Sequence, residues 1–447
     1  MEKFDAVRVG LLGTGTVGKG TLDVLTRNAK EITRRAGRRI DVTHASARNI
    51  ARAKDRVAGR AEVLDNPMDI IERDDIDIVV ELIGGETQAR ELVLAAIESG
   101  KHVVTANKAL LALHGNEIFA AASRCGVMVA FEAAVAGGIP IIKAMREGLS
   151  ANRIESLAGI INGTTNFILS EMRDHGLSFG DVLAEAQRLG YAEADPTFDI
   201  DGVDAAHKLT LMAAIAFGVP VQFDRCHVEG IRGLDVVDIR YAEQLGYRIK
   251  LFALARRREV GAAGDLKPGI ELRVHPTLIP AKRLIANVEG PMNAIWVKGD
   301  AVGETMYYGQ GAGAEATASA VVADLIDVAR VLTADPDHRV PHLAFQAESI
   351  NDFPILPMDE VQTAYYLRLR VADEPGVLAD VTRLMADAGI SLDAVLQRET
   401  DPVVRQADII LLTHRTIEKQ LNQAQKNIQA LKTVVSDIVR IRMEGLA

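Results

Sequence analysis

The run Val7-Arg8-Val9-Gly10-Leu11-Leu12-Gly13-Thr14-Gly15-Thr16-Val17-Gly18 decides how the chain reads. Its first half is a short apolar stretch with the length of a buried strand. A glycine loop follows, and then a helical pattern over 16–29. Strand, glycine loop and helix in that order is the context that gives such a fingerprint its meaning. Gly13 permits the tight turn, Gly15 lets the backbone approach a pyrophosphate, and Gly18 lets helix and strand pack closely. Free N–H groups and the helix dipole favour the phosphates at the helix N-terminus. A dinucleotide site is therefore expected over Gly13, Thr14, Gly15, Thr16, Val17 and Gly18.

Outward from the loop, apolar runs at 40–47, 76–83, 102–105 and 127–131 read as strands, with a helical pattern at 87–99. Strands alternating with helices imply a parallel, doubly wound sheet. The middle of the chain reads as an α+β domain with a sheet of its own. Its strands are expected at 154–161, 270–274 and 294–298, and its helices at 167–175, 178–189 and 203–217, with 162–166 as a polar turn. The loop 309–313 leads into an apolar helix over 316–332. Residues 336–363, rich in Pro, Asp and His, read as a linker, and 364–447 as a small separate βαβ-type domain.

The bulk numbers exclude several classes. A net charge of −10 disfavours a general nucleic-acid binder. The basic run 34–39 sits where a helix-to-strand loop is expected and reads as a solvated loop. Two cysteines, Cys125 and Cys226, make neither a disulfide framework nor a four-ligand zinc site, and fit a reducing compartment. The segment Met1-Glu2-Lys3-Phe4-Asp5 lacks a signal-peptide core, and no apolar run reaches the roughly 18 residues needed to span a bilayer. A cytoplasmic protein without membrane partners is expected.

The second strand ends in Thr43-His44-Ala45-Ser46-Ala47-Arg48, with no acid to read the adenosine ribose. Arg48, with Arg52 beside it, is suited to a 2′-phosphate, so NADP is favoured over NAD. Carbonyl redox chemistry also needs an acid/base group for the oxygen. Three segments are suited to supply it: Thr105-Ala106-Asn107-Lys108 at a strand end, the polar loop 190–196, and Asp204 to Lys208. A spacing of four puts Asp204 and Lys208 on one helical face. Alone, that pair reads more often as a surface ion pair. The neighbouring His207 reads as packing.

Taken together, the motifs GTGTVG (from Gly13), TANKALLA (from Thr105), FEAAVAGGIP (from Phe131), GIINGTTNFILSEM (from Gly159), LGYAEADPTFDIDGVDAAHKL (from Leu189) and GQGAGAEATASAVVADL (from Gly309) resemble the homoserine dehydrogenase family over about 5–332. The resemblance implies a Rossmann-type nucleotide domain (1–135), an α+β catalytic and dimerisation domain (136–310) and a helix returning to the first domain (311–335). It implies NAD(P)H-dependent interconversion of L-aspartate 4-semialdehyde and L-homoserine, in a homodimer or homotetramer. By motif, Lys208 is the proton donor in reduction and the base in oxidation. Asp204 binds substrate and orients Lys208, Glu193 holds the substrate, and Lys108 lies between cofactor and substrate. Thr105 and Gly313 fall beside the cofactor. The resemblance makes Glu132, with the carbonyls of Val135, Gly137 and Ile139, a monovalent-cation loop for sodium; the residues alone read as a tight turn starting a helix. Cys125 has no histidine placed to activate it, which counts against the semialdehyde dehydrogenases and their cysteine nucleophile.

Residues 364–447 resemble an ACT domain, a βαββαβ amino-acid-sensing module, through Leu369-Arg370-Val371-Ala372-Asp373-Glu374-Pro375-Gly376-Val377-Leu378 and Ala388-Gly389-Ile390-Ser391-Leu392. Threonine, the pathway end product, is the implied effector. The turn 373–378, Asn422 and Gln425 are its candidate contacts, and a ligand-free dimerisation module is the alternative. A non-catalytic dinucleotide-sensing regulator is the competing reading of the whole. An aspartate kinase fusion is not expected, since no kinase-sized segment precedes the glycine loop.

Overall fold

Strand Val7–Leu12 is buried except at Arg8 and pairs in parallel with Ile40–Ser46 on one side and Ile78–Glu81 on the other. Glu62–Leu64 extends one edge, and His102–Thr105 and Val129–Ala130 the other, giving a six-stranded parallel sheet. The central strands of such a sheet are covered on both faces, which is why Val7–Leu12 and Ile78–Glu81 read as near-continuous apolar runs, whereas Ile40–Ser46 and Glu62–Leu64 toward the edge are only partly buried. Helix Thr16–Arg27 lies against the returning helix Ala314–Val331. They approach so closely at Gly20 that a Cβ there would stand 2.7 Å from the Ala314 carbonyl oxygen. The nucleotide-binding unit is thus completed by a helix from far along the chain. The computed structural model describes residues 6–260, 267–397 and 405–446; Met1–Asp5, where no leader is expected, lie outside them.

The basic run differs from its expectation. The first helix ends at Asn28 and a second, Ala29–Ala36, follows and stops at left-handed Gly37. Arg34 and Arg35 therefore close a helix, each paired with Glu31, and both are exposed. Asn162 is not a turn residue either. Its side chain caps helix Gly163–His175 by accepting the Thr165 N–H at 2.8 Å.

The second sheet has 11 strands and does not stop at the catalytic domain. Nine run in the order Gly303–Gln310, Met292–Gly299, Ile154–Ile160, Tyr247–Val260, Lys267–Pro280, Val439–Met443, Gln362–Ala372, Gln406–Thr413 and Leu392–Gln397, and two short ones lie off this path, Thr416–Ile417 on Gln362–Ala372 and His227–Val228 on Lys267–Pro280. The last four of the nine belong to a βαββαβ unit whose helices are Val377–Asp387 and Glu418–Gln429. Leu278 pairs with Met443 in parallel register, so this unit shares one continuous sheet with the catalytic domain. The middle domain's sheet, expected to be its own, is thus continued by the strands of this unit, which keeps a hydrophobic core of its own. Residues 347–360 carry only short helical turns and lie back on the sheet, where Ile355 bridges to Ile270.

Among the described residues no helix is long and apolar enough to cross a membrane. Helix Val203–Phe217 passes through the middle of the main apolar core, with every residue from Asp204 to Phe217 buried.

Candidate active site

The glycine loop divides its labour. Gly13 has φ +102°, and a Cβ there would lie 2.6 Å from the Leu82 carbonyl oxygen. At Gly18 a Cβ would stand 2.2 Å from the Gly13 carbonyl oxygen. Both glycines are required by the fold. Gly15 is not: its φ is −64° and a Cβ would meet nothing within 4 Å. It faces a cleft of about 300 Å³ lined by Gly13, Thr14, Ser46, Arg48, Arg52 and Asp65, among others. The helix beginning at Thr16 and Val17 has no side-chain cap and no acid in its first turn, which leaves its N–H groups for another acceptor. Arg56 donates to the Thr14 carbonyl at 2.7 Å, whereas Arg48 makes a long contact to Gln88 Oε1, at 3.5 Å. Asp65 is an acid in this cleft that reading the strand end alone did not find.

Thr105 is buried, and its hydroxyl donates to Glu81 Oε2 at 2.7 Å. The other Glu81 oxygen accepts the N–H groups of Ile83 and Gly84 at 2.8 and 3.0 Å. The side chain of Thr105 therefore braces the loop after strand Ile78–Glu81 and does not line the cleft at Gly13. Gly313 starts the returning helix with φ +134°. Its loop leans on the segment 135–139, with the Gly138 N–H donating to the Gln310 carbonyl at 3.0 Å.

Three distant segments converge on the first turn of helix Val203–Phe217. Lys208 Nζ donates to Asp204 Oδ2 at 2.7 Å and to the Ile161 carbonyl at 2.8 Å. Lys108, first residue of the helix after strand His102–Thr105, brings its Nζ to 3.1 Å from Asp204 Oδ1 and lies over the Phe198 ring. Asn162 Nδ2 donates to Asp204 Oδ2 at 2.8 Å and to Asp199 Oδ1 at 2.7 Å. Thr164 Oγ1 donates to Asp199 Oδ2 at 3.1 Å. The surface ion pair expected from spacing alone is instead buried, Asp204 at 3% and Lys208 at 8% exposure. Asp199 and Asn162 were not singled out in the sequence, although Asn162 opens the polar turn 162–166 and Asp199 lies in the motif that begins at Leu189. Glu193 is exposed on the neighbouring loop, near enough for its charge to help raise Lys108.

The electrostatics separate the two lysines. Burial pushes the Lys208 ammonium below the usual lysine range; Asp204 opposes that and Lys108 reinforces it. Lys108 is raised, chiefly by Asp204, against a smaller effect of burial. Asp204 is itself held well below the usual carboxylate range: burial opposes its ionisation, and the two lysines together outweigh burial. Asp199 is raised by burial and by the Asp204 charge beside it. His207 packs between Phe198 and Phe223, with ring centroids 5.3 and 4.3 Å away, and burial lowers it to about 4.

Glu132 is buried, and its two oxygens accept the N–H groups of Ile142 and Lys143, both at 2.9 Å. The carboxylate thus organises the start of the next helix, as the residues alone suggested. Between them Ala136 and Gly137 have φ +53° and +47°, and the turn closes with the Ile139 N–H donating to the Ala136 carbonyl at 2.9 Å and the Ile141 N–H to the Ile139 carbonyl at 2.8 Å.

Family models place these features. The homoserine dehydrogenase model matches residues 140–326, its NAD-binding domain residues 13–132, and the ACT domain residues 365–433. A homoserine dehydrogenase of Pseudomonas aeruginosa is 59% identical over 440 residues, covering 98% of this chain and 99% of its own. The chain belongs to the homoserine dehydrogenase family. A crystal structure of a homoserine dehydrogenase from Thiobacillus denitrificans superposes with TM-score 0.93 at 65% identity, over 99% of each chain. A hyperthermophilic archaeal homoserine dehydrogenase solved in complex with NADPH is 26% identical with TM-score 0.59, covering 72% of this chain and 97% of that one. The protein is an NAD(P)-dependent oxidoreductase that interconverts aspartate semialdehyde and homoserine in amino-acid biosynthesis, and its ACT domain is suited to allosteric regulation.

Proposed function

We propose that Lys208 carries the proton in this homoserine dehydrogenase reaction, with Asp204 and Lys108 as its electrostatic partners. The observation that carries this reading is the meeting of both lysines, one from each domain, on the single buried carboxylate of Asp204. In homoserine oxidation the neutral Lys208 amine takes the hydroxyl proton; in reduction its ammonium returns that proton to the aldehyde oxygen. Lys108 stays charged and stabilises the developing alkoxide. Glu193 and Asp199 bind the substrate ammonium. The dinucleotide, when bound, supplies or accepts the hydride.

The residues present fit that dinucleotide. Gly15, free of any packing need, marks where the pyrophosphate approaches, and Thr14, Thr16, Val17, Gly18 and Gly313 border it. Arg48 and Arg52 against the single acid Asp65 favour NADP, the cofactor form of the archaeal relative. For the cation loop, Glu132 and the carbonyls of Val135, Gly137 and Ile139 form an oxygen-only donor set, suited to a hard monovalent ion such as sodium. Threonine is the proposed effector at the ACT unit. The Asn422 contact is weakened as a candidate, since its side chain is engaged by Asp359 and Arg440. A cytoplasmic homodimer or homotetramer fits the free cysteines and the exposed Leu284 and Tyr308.

Steady-state homoserine oxidation by Asp204→Asn tests the site. Loss of the charge shared by both lysines is expected to lower kcat/KM for homoserine at least a hundredfold. An unchanged value rejects the assignment.

A further inference from the structure

Residues 227–232 form a strap between the substrate segment and the ACT unit. One side of the strap grips residues 197–202. The Ile231 N–H donates to the Ile200 carbonyl at 2.8 Å. Gly230 lies so close that a Cβ there would stand 2.3 Å from the same oxygen. Gly202, left-handed at φ +85°, faces the Val228 side chain and the Glu229 carbonyl immediately before helix Val203–Phe217. Arg232 pairs with Asp201 and donates to Thr197 Oγ1 at 3.0 Å. Asp199 lies inside the gripped stretch and Asp204 two residues beyond it.

The other side of the strap belongs to the ACT unit. Glu229 accepts two N–H bonds from Arg442, at 2.7 and 3.0 Å, and a contact from His227 Nε2 at 2.8 Å. Arg442 sits on strand Val439–Met443, the strand that joins the ACT unit to the catalytic sheet, and is 2% exposed. Its Nε donates to Glu418 Oε2 at 2.8 Å, at the start of the second ACT helix. Arg442 and Glu418 are buried while the Glu229 side chain is 39% exposed, and charge pairs of either kind give little net stability. What they do impose is geometry, because every partner must stay in place to satisfy the others.

We propose that Glu229 is a positioning residue for the active-site carboxylates Asp199 and Asp204, and that Arg442 places that position under the control of the ACT unit. A ligand that shifts strand Val439–Met443 moves Arg442. Glu229 then carries the strap, and with it the segment 197–202, away from its catalytic register. The proposal rests on the reading of Asp199 as a substrate-binding group and of Asp204 as the carboxylate shared by Lys108 and Lys208, which Asp204→Asn tests separately.

The experiment is steady-state kinetics of Glu229→Gln, Arg442→Lys and the double variant in the full chain, with thermal melts alongside. Each single change is expected to raise KM for homoserine at least tenfold while KM for the dinucleotide stays within twofold. The double variant should be no worse than the poorer single, because both changes break one link. Equal losses for both substrates, or losses that multiply in the double variant, overturn the proposal. If Glu229→Gln does not fold, Glu229→Asp with Arg442→Lys is judged by the same criteria. If Asp204→Asn leaves homoserine kinetics unchanged, the substrate-site reading fails whatever Glu229 does.

Discussion

Lys208→Met removes the proton carrier while keeping most of the apolar stem that packs in helix Val203–Phe217. A positioned acid/base contributes about 10²–10⁴-fold to a rate. At roughly 1.4 kcal/mol for each factor of ten, kcat should therefore lose about 3–5 kcal/mol of barrier lowering. The stability cost is smaller than for most broken buried pairs. Removing one partner costs about 3–5 kcal/mol when the other is left uncompensated. Here Asp204 keeps Lys108 at 3.1 Å and the Asn162 amide at 2.8 Å, so the lower end of that range is an upper limit. KM for homoserine should stay within about threefold, since the carboxylates proposed to bind the substrate ammonium are untouched. The pH profile gives an independent readout. Oxidation needs the neutral amine, so kcat/KM for homoserine rises with pH through the Lys208 titration. That limb lies below the ordinary lysine range because burial, reinforced by Lys108, depresses the group against the pull of Asp204. In Lys208→Met the limb should vanish. A folded variant that keeps more than a tenth of the wild-type kcat, or keeps the limb, refutes the assignment.

Gly15→Ala should leave the melting transition nearly unchanged, within about 0.5 kcal/mol, yet raise the dinucleotide KM tenfold or more, because its Cβ enters the cleft and touches no protein atom. Gly13→Ala should instead destabilise the fold, by about 1–3 kcal/mol for its backbone conformation alone, with further cost from the contact to Leu82; melts and KM values together separate the two cases. Arg48→Ala with Arg52→Ala should lower the NADP-to-NAD ratio of kcat/KM about ten- to a hundredfold, the worth of one or two charge-assisted contacts; an unchanged ratio moves the 2′-phosphate elsewhere. Added L-threonine should inhibit the wild-type enzyme, and no inhibition at millimolar levels removes threonine as the effector. Glu229 is held below the usual carboxylate range by His227 and Arg442, which outweigh the opposing effect of burial. Its contribution is therefore present above the unfolded carboxylate titration and lost as pH falls through the folded one, so Glu229→Gln should flatten the acid limb of stability measured by denaturant melts.

The order of apolar runs and glycines made the nucleotide domain legible, because its central strands Val7–Leu12 and Ile78–Glu81 are buried and read as apolar runs, whereas the partly exposed edge strand Glu62–Leu64 left no such signal. The same reading understated strand Tyr247–Val260. That strand carries Lys250 and Arg256 into the interior, where Val288, Asn166 and Glu444 satisfy them. Partners so distant in sequence leave no local pattern, so the charges read as surface. The join between Leu278 and Met443 was hidden for a related reason: an edge strand looks the same whether it stays an edge or is paired by another unit. At the site, the spacing of four between Asp204 and Lys208 was visible, but their burial was not. Asn162 was readable as polar and not as the residue that caps one helix while bridging two carboxylates.

The arrangement around Asp204 explains why two lysines are needed and why they do not compete. Both ammonium groups contact the same carboxylate, one on each oxygen, so Asp204 favours the charged form of each. Their surroundings differ. Lys208 is enclosed, with its side chain 10% exposed, and has the Ile161 carbonyl as its only other acceptor among the described residues. Lys108 is one-third exposed and feels Asp199 and Glu193 as well as Asp204. Desolvation therefore wins at Lys208 and attraction wins at Lys108, and the Lys108 charge further depresses Lys208. One carboxylate thus turns two chemically identical side chains into a permanent cation and a titratable group. It follows that Lys108→Met should raise the Lys208 titration, because the repulsion that helps depress it is gone. The limb of homoserine oxidation would then move to higher pH even as kcat falls. A limb that stays in place or moves to lower pH would show that Lys108 does not tune Lys208.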